Sequence, residues 1–248
     1  MTHKNQRFSE PRDYRYRAFI GPADKYDLTS ALQFNLLTFL GLREEHFLLD
    51  VGCGSLAGGR LFIPYLLPGR YYGIEPFQWL VEEGIKNELG NDIILIKRPV
   101  FNNNNEFILS IFNRKFDFIL AQSIFSHASQ RQIRRCLSEA GKVMKPTSFF
   151  VATFVEGEEN YAGDEWVYPG FVTYTLDFIK IMFENNGLIC ESIDWPHPTS
   201  QKWLVATTRA NSRNEMNTHF NDKVNNLSRL EKEVKRYKSR LEQIRENY

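Results

Sequence analysis

Two kinds of hydrophobic pattern alternate through the middle of the chain. Short runs rich in branched and aromatic residues have the length of buried strands, and the segments between them repeat apolar residues every three or four positions, as helices do. The pattern predicts strands at 47–51, 71–75, 92–97, 116–121, 148–154, 188–194 and 202–208. It predicts helices at 27–40, 56–66, 77–88, 130–143 and 175–186, and a polar loop at 101–105.

Strands that alternate with helices indicate an α/β domain, in which a mostly parallel sheet carries helices on both faces. The last two predicted strands are separated by a short loop that contains Pro196 and Pro198. Such a loop is too short for a parallel crossover. We therefore expect seven strands, the last of them antiparallel.

The pattern changes after about residue 209. Apolar residues are then spaced alternately by four and three positions: Phe220, Val224, Leu227, Leu230, Val234, Tyr237, Leu241, Ile244 and Tyr248. This heptad pattern predicts a coiled-coil-like helix that makes a homodimer, or a terminal helix packed on its own domain. The predicted organisation is an N-terminal arm or lid at 1–26, an α/β domain at 27–210 and a C-terminal helix at 211–248.

Composition excludes several classes of protein. With 248 residues, of which 42% are hydrophobic, the chain can bury one good-sized core. A net charge of +1 provides no general attraction for nucleic acid, so no nucleic-acid partner is expected. Three widely spaced cysteines suit a reducing compartment and lack zinc-ligand spacing, so we expect no metal. Without a signal-like or membrane-length apolar run, we expect a cytoplasmic protein with no membrane partner.

The most informative chemistry lies where the first two predicted strands end. The first strand contains Asp50 and leads into a turn with Gly52 and Gly54, and the second strand ends at Glu75. Glycines let the backbone approach a ligand closely, and the acid after the next strand can accept hydrogen bonds from ribose hydroxyls. The arrangement predicts a nucleotide site. The alternative for Gly52 and Gly54 is a tight turn without a ligand, and the alternative for Glu75 is an acid at the surface end of a strand.

Four segments in order resemble the class I S-adenosylmethionine-dependent methyltransferases. They are LLDVGCGSLAGG at 48–59, YYGIEP at 71–76, FDFILAQSIFSH at 116–127 and VMKPTSFFVATF at 143–154. Four motifs at family spacing are a far stronger signal than one glycine turn. The resemblance implies a Rossmann-like fold. Segments 17–42 and 195–206 are also similar to a bacterial and cyanobacterial group of small-molecule methyltransferases, some of which lie near carbohydrate-modifying enzymes.

The resemblance implies S-adenosylmethionine as the cofactor and assigns binding roles by position. Gly52 and Gly54 would line its methionine end. Asp50 would help to orient the turn, and Glu75 would bind the ribose hydroxyls. Gln122 and Ser123 would end the fourth strand near the methyl group. These candidates are Asp50, Gly52, Gly54, Ser55, Glu75, Gln122 and Ser123. The loop 99–103 would contact adenine, without a choice of residue.

Methyl transfer requires an aligned acceptor, and an oxygen acceptor benefits from a base such as histidine. His127 follows the fourth strand, and His197 lies in the loop between the last two strands. Both are predicted catalytic residues, and the alternative is a histidine that caps a helix or packs in a loop. The expected function is methyl transfer to a hydroxyl of a small molecule, such as a sugar or natural product.

Two other functions stay open. Acidic residues after the fifth strand precede several aromatic ones, which favours N-methylation of an amine or indole-type product, although the acids also suit a solvated loop. These residues are Glu156, Glu158, Glu159, Asp164, Glu165, Trp166, Tyr168 and Phe171. The missing PGG triplet after Lys145 favours instead a non-catalytic binding module whose working part is the coiled coil.

Overall fold

The computed structural model describes residues 15–208. The first part of the predicted arm and the predicted C-terminal helix with its dimer contact lie outside these residues. The helices are α1 Arg15–Phe19, α2 Tyr26–Phe39, α3 Gly59–Tyr65, α4 Gln78–Gly84, α5 Asn91–Lys97, α6 Gln130–Val143 and α7 Leu176–Asn185. The strands are β1 Leu48–Val51, β2 Tyr71–Ile74, β3 Val100–Asn102, β4 Phe116–Ala121, β5 Met144–Glu156, β6 Thr173–Tyr174, β7 Leu188–Ile193 and β8 Lys202–Thr208.

The strands form a single mixed sheet in the order β3-β2-β1-β4-β5-β8-β7. The pairs among β1 to β5 are parallel, whereas β8 is antiparallel to both β5 and β7. This confirms the predicted Rossmann-like sheet with an antiparallel final strand. One addition is the two-residue strand β6, which pairs Thr173 with Val155 at the end of β5. A strand of two residues has no periodicity for the sequence to reveal.

The strand predicted at 92–97 is wrong. These residues form α5, and the third strand is β3, whose last two residues fall in the predicted polar loop at 101–105. The segment DIILIK is a short apolar run, which periodicity cannot assign to helix or strand. In the structure Leu95 and Ile96 are 74% and 60% exposed, so the run does not enter the core. Gly90, at φ +85°, separates this helix from the turn before it.

The core surrounds the central strands, and every residue of β1 is buried. Helix α6 packs an apolar face that includes Ile133 and Leu137 into the same core. The helix begins with a capping box, in which Ser129 Oγ accepts from the Gln132 amide and Gln132 Oε1 accepts from the Ser129 amide. The cap fixes the start of α6 and thereby the end of the loop 122–128 that leads into it.

Three observations bear on partners and cofactors. Cys53, Cys136 and Cys190 are buried and free. None of the helices described between residues 15 and 208 has both the length and the hydropathy needed to cross a bilayer. Within the same range, no group of three or more His, Cys, Asp or Glu side chains is arranged to hold a metal ion.

Candidate active site

The turn after β1 is built around two glycines. Gly52 has φ +71° and Gly54 has φ +53°, in the left-handed region that favours glycine. Space is restricted as well, because a Cβ on Gly52 would lie 2.1 Å from Ile124 Cδ1 and one on Gly54 would lie 3.1 Å from Ile20. The backbone conformation therefore favours glycine at Gly52, and a Cβ there would also force the Ile124 side chain to shift.

Glu75 connects the end of β2 to this turn. Its Oε2 accepts from the Gly54 amide at 3.0 Å, and its Oε1 accepts from the Phe77 amide at 2.9 Å. Burial raises the pKa of Glu75, and the two amide hydrogen bonds oppose that rise. A carboxylate oxygen has a second lone pair. Glu75 can therefore hold the turn and still accept hydrogen bonds from a ligand.

Asp50 lies beside the turn but has a different partner. Its Oδ2 accepts a 2.7 Å hydrogen bond from the Tyr71 hydroxyl. Burial raises the pKa of Asp50 to about 7, although the Tyr71 hydrogen bond acts in the opposite direction, and the charge of Glu75 adds to the rise. Glu75 thus bonds directly to the turn at the Gly54 amide, and the role of Asp50 in helping to orient the turn, which the resemblance implies, stays a prediction.

An open cleft, the inner cleft, runs along this edge of the sheet. Six of the seven cofactor candidates line it, namely Asp50, Gly52, Gly54, Glu75, Gln122 and Ser123. Ser55 does not, because its carbonyl oxygen and hydroxyl face the hydroxyl of Tyr26, at 2.9 and 3.3 Å. Phe77 also lines the cleft and offers an exposed ring, whereas no residue of the loop 99–103 does.

A second and larger space, the outer cavity, adjoins the inner cleft. Its volume is about 670 Å³. The two spaces share a wall formed by Ile20, Ala57, Gln122, Ser123, His127 and Tyr168. Both catalytic candidates, His127 and His197, line the outer cavity, so the fold brings together two histidines 70 residues apart in sequence.

His127 is held by backbone carbonyls. Its Nδ1 lies 2.7 Å from the Gly170 oxygen and 3.0 Å from the Val167 oxygen. Carbonyl oxygens only accept, so Nδ1 carries the hydrogen, and Nε2 of the neutral ring has a lone pair. Among the described residues, none forms a hydrogen bond with Nε2. The rings of Trp166 and Tyr168 pack against the imidazole. His127 has the geometry of a general base.

His197 is engaged at both ring nitrogens. Its Nε2 accepts from the Gln122 side-chain NH2 group at 3.0 Å, and its Nδ1–H donates to the Thr199 hydroxyl oxygen at 3.1 Å, a pair of contacts that a neutral ring satisfies. Burial lowers the pKa of His197 to about 4, so the ring is neutral at pH 7. A neutral ring with two internal partners positions Gln122 more readily than it takes a proton from a ligand.

A polar network extends from this histidine across the shared wall. Gln122 and Gln201 both donate to Ser123 Oγ, at 2.6 and 2.9 Å. Thr153 Oγ1 donates to Gln201 Oε1 and accepts from the Ser123 amide, both at 2.7 Å. Sequence analysis missed Thr153 and Gln201, since they lie on β5 and before β8 and no local pattern connects them. The network fixes the position of Ser123, whose φ is +55°.

The N-terminal arm covers the glycine turn. Its residue Ile20 lies against Gly54, and the Phe19 ring packs against Phe77, Trp79 and Tyr168. Ile20 thereby forms part of the wall of both spaces. This position agrees with the predicted lid, and the role itself stays a prediction.

A buried carboxylate anchors this arm. Glu88 lies in a π-helical turn, Ile85–Leu89, that continues α4. It accepts from the Tyr16 hydroxyl at 2.7 Å and pairs with Arg17 and Arg60 at 2.6 and 3.3 Å. The Tyr26 ring stacks with both guanidinium groups.

The acidic residues predicted to attract an amine lie elsewhere. None of the five carboxylates between Glu156 and Glu165 lines either space. Glu156 lies 3.9 Å from Lys202 Nζ at the surface. The aromatic residues of the same segment do line the spaces, with Trp166 in the inner cleft, Phe171 in the outer cavity and Tyr168 in both.

Comparison with known proteins agrees with this architecture. No family model matches the chain. Magnesium protoporphyrin IX methyltransferase (ChlM) from Synechocystis PCC 6803, with bound SAH, superposes with a TM-score of 0.59 at 14% identity, covering 79% of this chain and 97% of that one. An S-adenosylmethionine-dependent methyltransferase from Clostridium acetobutylicum ATCC 824 gives 0.53 at 14%, covering 79% and 95%. The glycopeptide N-methyltransferase MtfA, complexed with S-adenosyl-L-homocysteine, gives 0.54 at 11%, covering 73% and 90%. The chain has the fold of the S-adenosylmethionine-dependent methyltransferases.

Proposed function

We propose that this protein transfers the methyl group of S-adenosylmethionine to a hydroxyl oxygen of a small molecule, with His127 as the base. The observation that carries the proposal is the state of His127 at the wall between the two spaces. Two carbonyls hold its Nδ1–H, and its Nε2 has no partner among the described residues. A base on this wall faces an acceptor in the outer cavity while the inner cleft holds the donor.

The inner cleft has the groups that S-adenosylmethionine needs. Glu75 would accept from the ribose hydroxyls, and the ring of Phe77 would pack on the adenine. The turn at Gly52 and Gly54, which lines the cleft, would hold the methionine end, because a backbone without Cβ lets a ligand approach closely. When bound, the cofactor supplies an activated methyl whose C–S bond breaks as the acceptor C–O bond forms, leaving S-adenosylhomocysteine.

The residues of the chain then align the acceptor and move its proton. Nε2 of His127 takes the hydroxyl proton, and the carbonyls of Val167 and Gly170 stabilise the imidazolium because they accept from its Nδ1–H. His197 stays neutral and holds Gln122 against Ser123. The polar network thus gives the shared wall one geometry, and alignment is a large part of catalysis for an already activated donor.

Calorimetry with S-adenosylhomocysteine tests the proposal. The unaltered protein should bind it, and Glu75→Ala should weaken binding at least about tenfold, since two hydrogen-bonded oxygens are lost. Glu82→Ala, an exposed change on α4, is the matched control and should bind normally. Absence of binding by the unaltered protein, or normal binding by Glu75→Ala, would contradict the proposed cofactor site.

N-methylation of a neutral nitrogen is the second candidate. It is favoured by the aromatic residues around His127 and by the fold shared with the glycopeptide N-methyltransferase MtfA. A nitrogen that is already neutral needs little help from a base. His127→Ala and His197→Ala would then both retain most of the transfer rate, which separates this reaction from O-methylation.

A further inference from the structure

The outer cavity is unusual in its charges. Among the described residues that line it, none is a carboxylate or a lysine, and the one arginine is Arg17. Arg17 already pairs with Glu88 at 2.6 Å and with Asp27 at 3.5 Å. Its charge is therefore compensated within the protein, and the cavity offers no net charge of either sign to an acceptor.

This balance selects against charged acceptors. A cationic amine that entered the cavity would lose its hydration without gaining a carboxylate partner, which is strongly unfavourable. An anion would have to compete with Glu88 and Asp27 for Arg17. His197 adds no charge, because burial lowers its pKa to about 4. The cavity is suited to an uncharged molecule.

A second polar group beside the base indicates what that molecule carries. Ser126, which also lines the cavity, is 1% exposed, and its Oγ has no hydrogen-bond partner between residues 15 and 208. A buried hydroxyl without a partner is unfavourable, and such groups in native structures mark a role. Ser126 directly precedes His127, and both line the outer cavity. Nε2 of His127 also has no hydrogen-bond partner among the described residues, so a ligand that engages both side chains must present two polar groups.

The remaining wall is apolar and aromatic. Ile20, Tyr168, Pro169 and Phe171 line the same cavity, and Phe171 is 66% exposed. A ring, whether aromatic or a saturated sugar-like ring, can pack on these side chains while its hydroxyls reach the base. Shape and charge thus point to a ring that carries adjacent hydroxyls.

We propose that the outer cavity takes an uncharged acceptor that carries a second hydroxyl next to the one that is methylated, and that Ser126 Oγ binds this second hydroxyl. The proposal rests on the proposed function. His127 Nε2 takes the proton of the reacting hydroxyl, and Ser126 Oγ forms a hydrogen bond with the second hydroxyl of the acceptor. Ser126 is then a specificity-determining residue. A second methylation would require the product to bind again with its two oxygens exchanged between His127 and Ser126.

Two matched sets of acceptors test this, with transfer of a deuterated methyl group measured by mass spectrometry. The aromatic set is catechol, phenol and benzylamine, and the aliphatic set is vicinal cyclohexanediol, cyclohexanol and cyclohexylamine. In at least one set, the diol should react at least about tenfold faster than the monohydroxy compound and the amine. The set that responds distinguishes a phenolic from a sugar-like acceptor.

Substitution of Ser126 provides the second readout. Ser126→Ala should lower the ratio of kcat/KM for the diol to kcat/KM for the monohydroxy compound about tenfold. Ser192→Ala, on β7 and in neither space, is the matched control and should change neither rate. The comparison of acceptors by the unaltered protein does not depend on the folding of either variant.

The outcomes separate this inference from the function beneath it. An amine as the best acceptor, equal rates for diol and monohydroxy compounds, or binding of S-adenosylhomocysteine without methylation of either diol would overturn it. An unchanged ratio of the two kcat/KM values in a folded Ser126→Ala protein would also overturn it. Failure of the unaltered protein to bind S-adenosylhomocysteine would contradict the proposed function instead.

Discussion

The inner cleft and the outer cavity share a wall but are built in different ways. In the cleft, the ends of neighbouring parallel strands bring together the turn after β1 and Glu75 after β2. Glu75 accepts a hydrogen bond from Gly54, which lies only 21 residues away in the sequence. The cavity draws on segments from Arg17 to Gln201, including the arm, the loop before α6 and the loop before β8. The space proposed for the donor therefore contains a compact local motif, whereas long-range packing shapes the space proposed for the acceptor.

The largest expected effect concerns the base on the cavity side. If His127 takes the acceptor proton, His127→Ala should lower kcat by about 10²–10⁴-fold while the affinity for S-adenosylhomocysteine stays unchanged. Steady-state kinetics and calorimetry on the same preparation measure both. His46→Ala, a histidine that lines neither space, serves as the control. A parallel loss of cofactor affinity would show that the two spaces are not separable at this residue.

His197 should affect stability more than chemistry. Its pKa is lowered to about 4 in the folded protein, so the unfolded chain takes up a proton first as the pH falls. Stability present above about pH 6.5 should decline toward pH 4, by up to about 3 kcal/mol. Urea unfolding at several pH values should show a shallower decline for His197→Asn. An identical pH profile in that variant would contradict the assigned neutral state.

The glycine turn tests the cleft alone. Gly52→Ala should weaken S-adenosylhomocysteine binding at least about tenfold, because the new Cβ meets Ile124 and the positive φ is strained. Gly69→Ala introduces similar strain at φ +73°, with open space around it, and should leave binding intact. Calorimetry on the pair separates the effect of backbone strain from the effect of the contact between the new Cβ and Ile124. Equal losses in both would remove the argument from packing.

The smallest expected effect lies where the arm joins the two spaces. Glu88→Gln removes the charge that pairs with Arg17 and Arg60, so the arm should open more often. Stopped-flow measurements should then show S-adenosylhomocysteine dissociating about threefold faster, and added salt should change this rate less than in the unaltered protein. Glu83→Gln, in the neighbouring α4, should behave like the unaltered protein.

The sequence by itself determined the sheet type and most elements, although not α1, α5, β3 or β6, and six of the seven predicted cofactor residues line the inner cleft. These features depend on periodicity, on glycines at a turn and on acids at strand ends, which adjacent parallel strands bring to one edge. It misassigned 92–97, because a four-residue apolar run has no period that distinguishes an exposed helix from an edge strand.

Only the tertiary structure decided what surrounds the acceptor. It turned Ser55 toward Tyr26, left the acidic loop outside both spaces, and joined Thr153 to Gln201 and Ser123. It also distinguished the two histidines by their partners, which no local pattern records. The reason is physical: strand order follows from short-range pattern, whereas hydrogen-bond partners and burial arise from segments that meet only when the whole chain has folded.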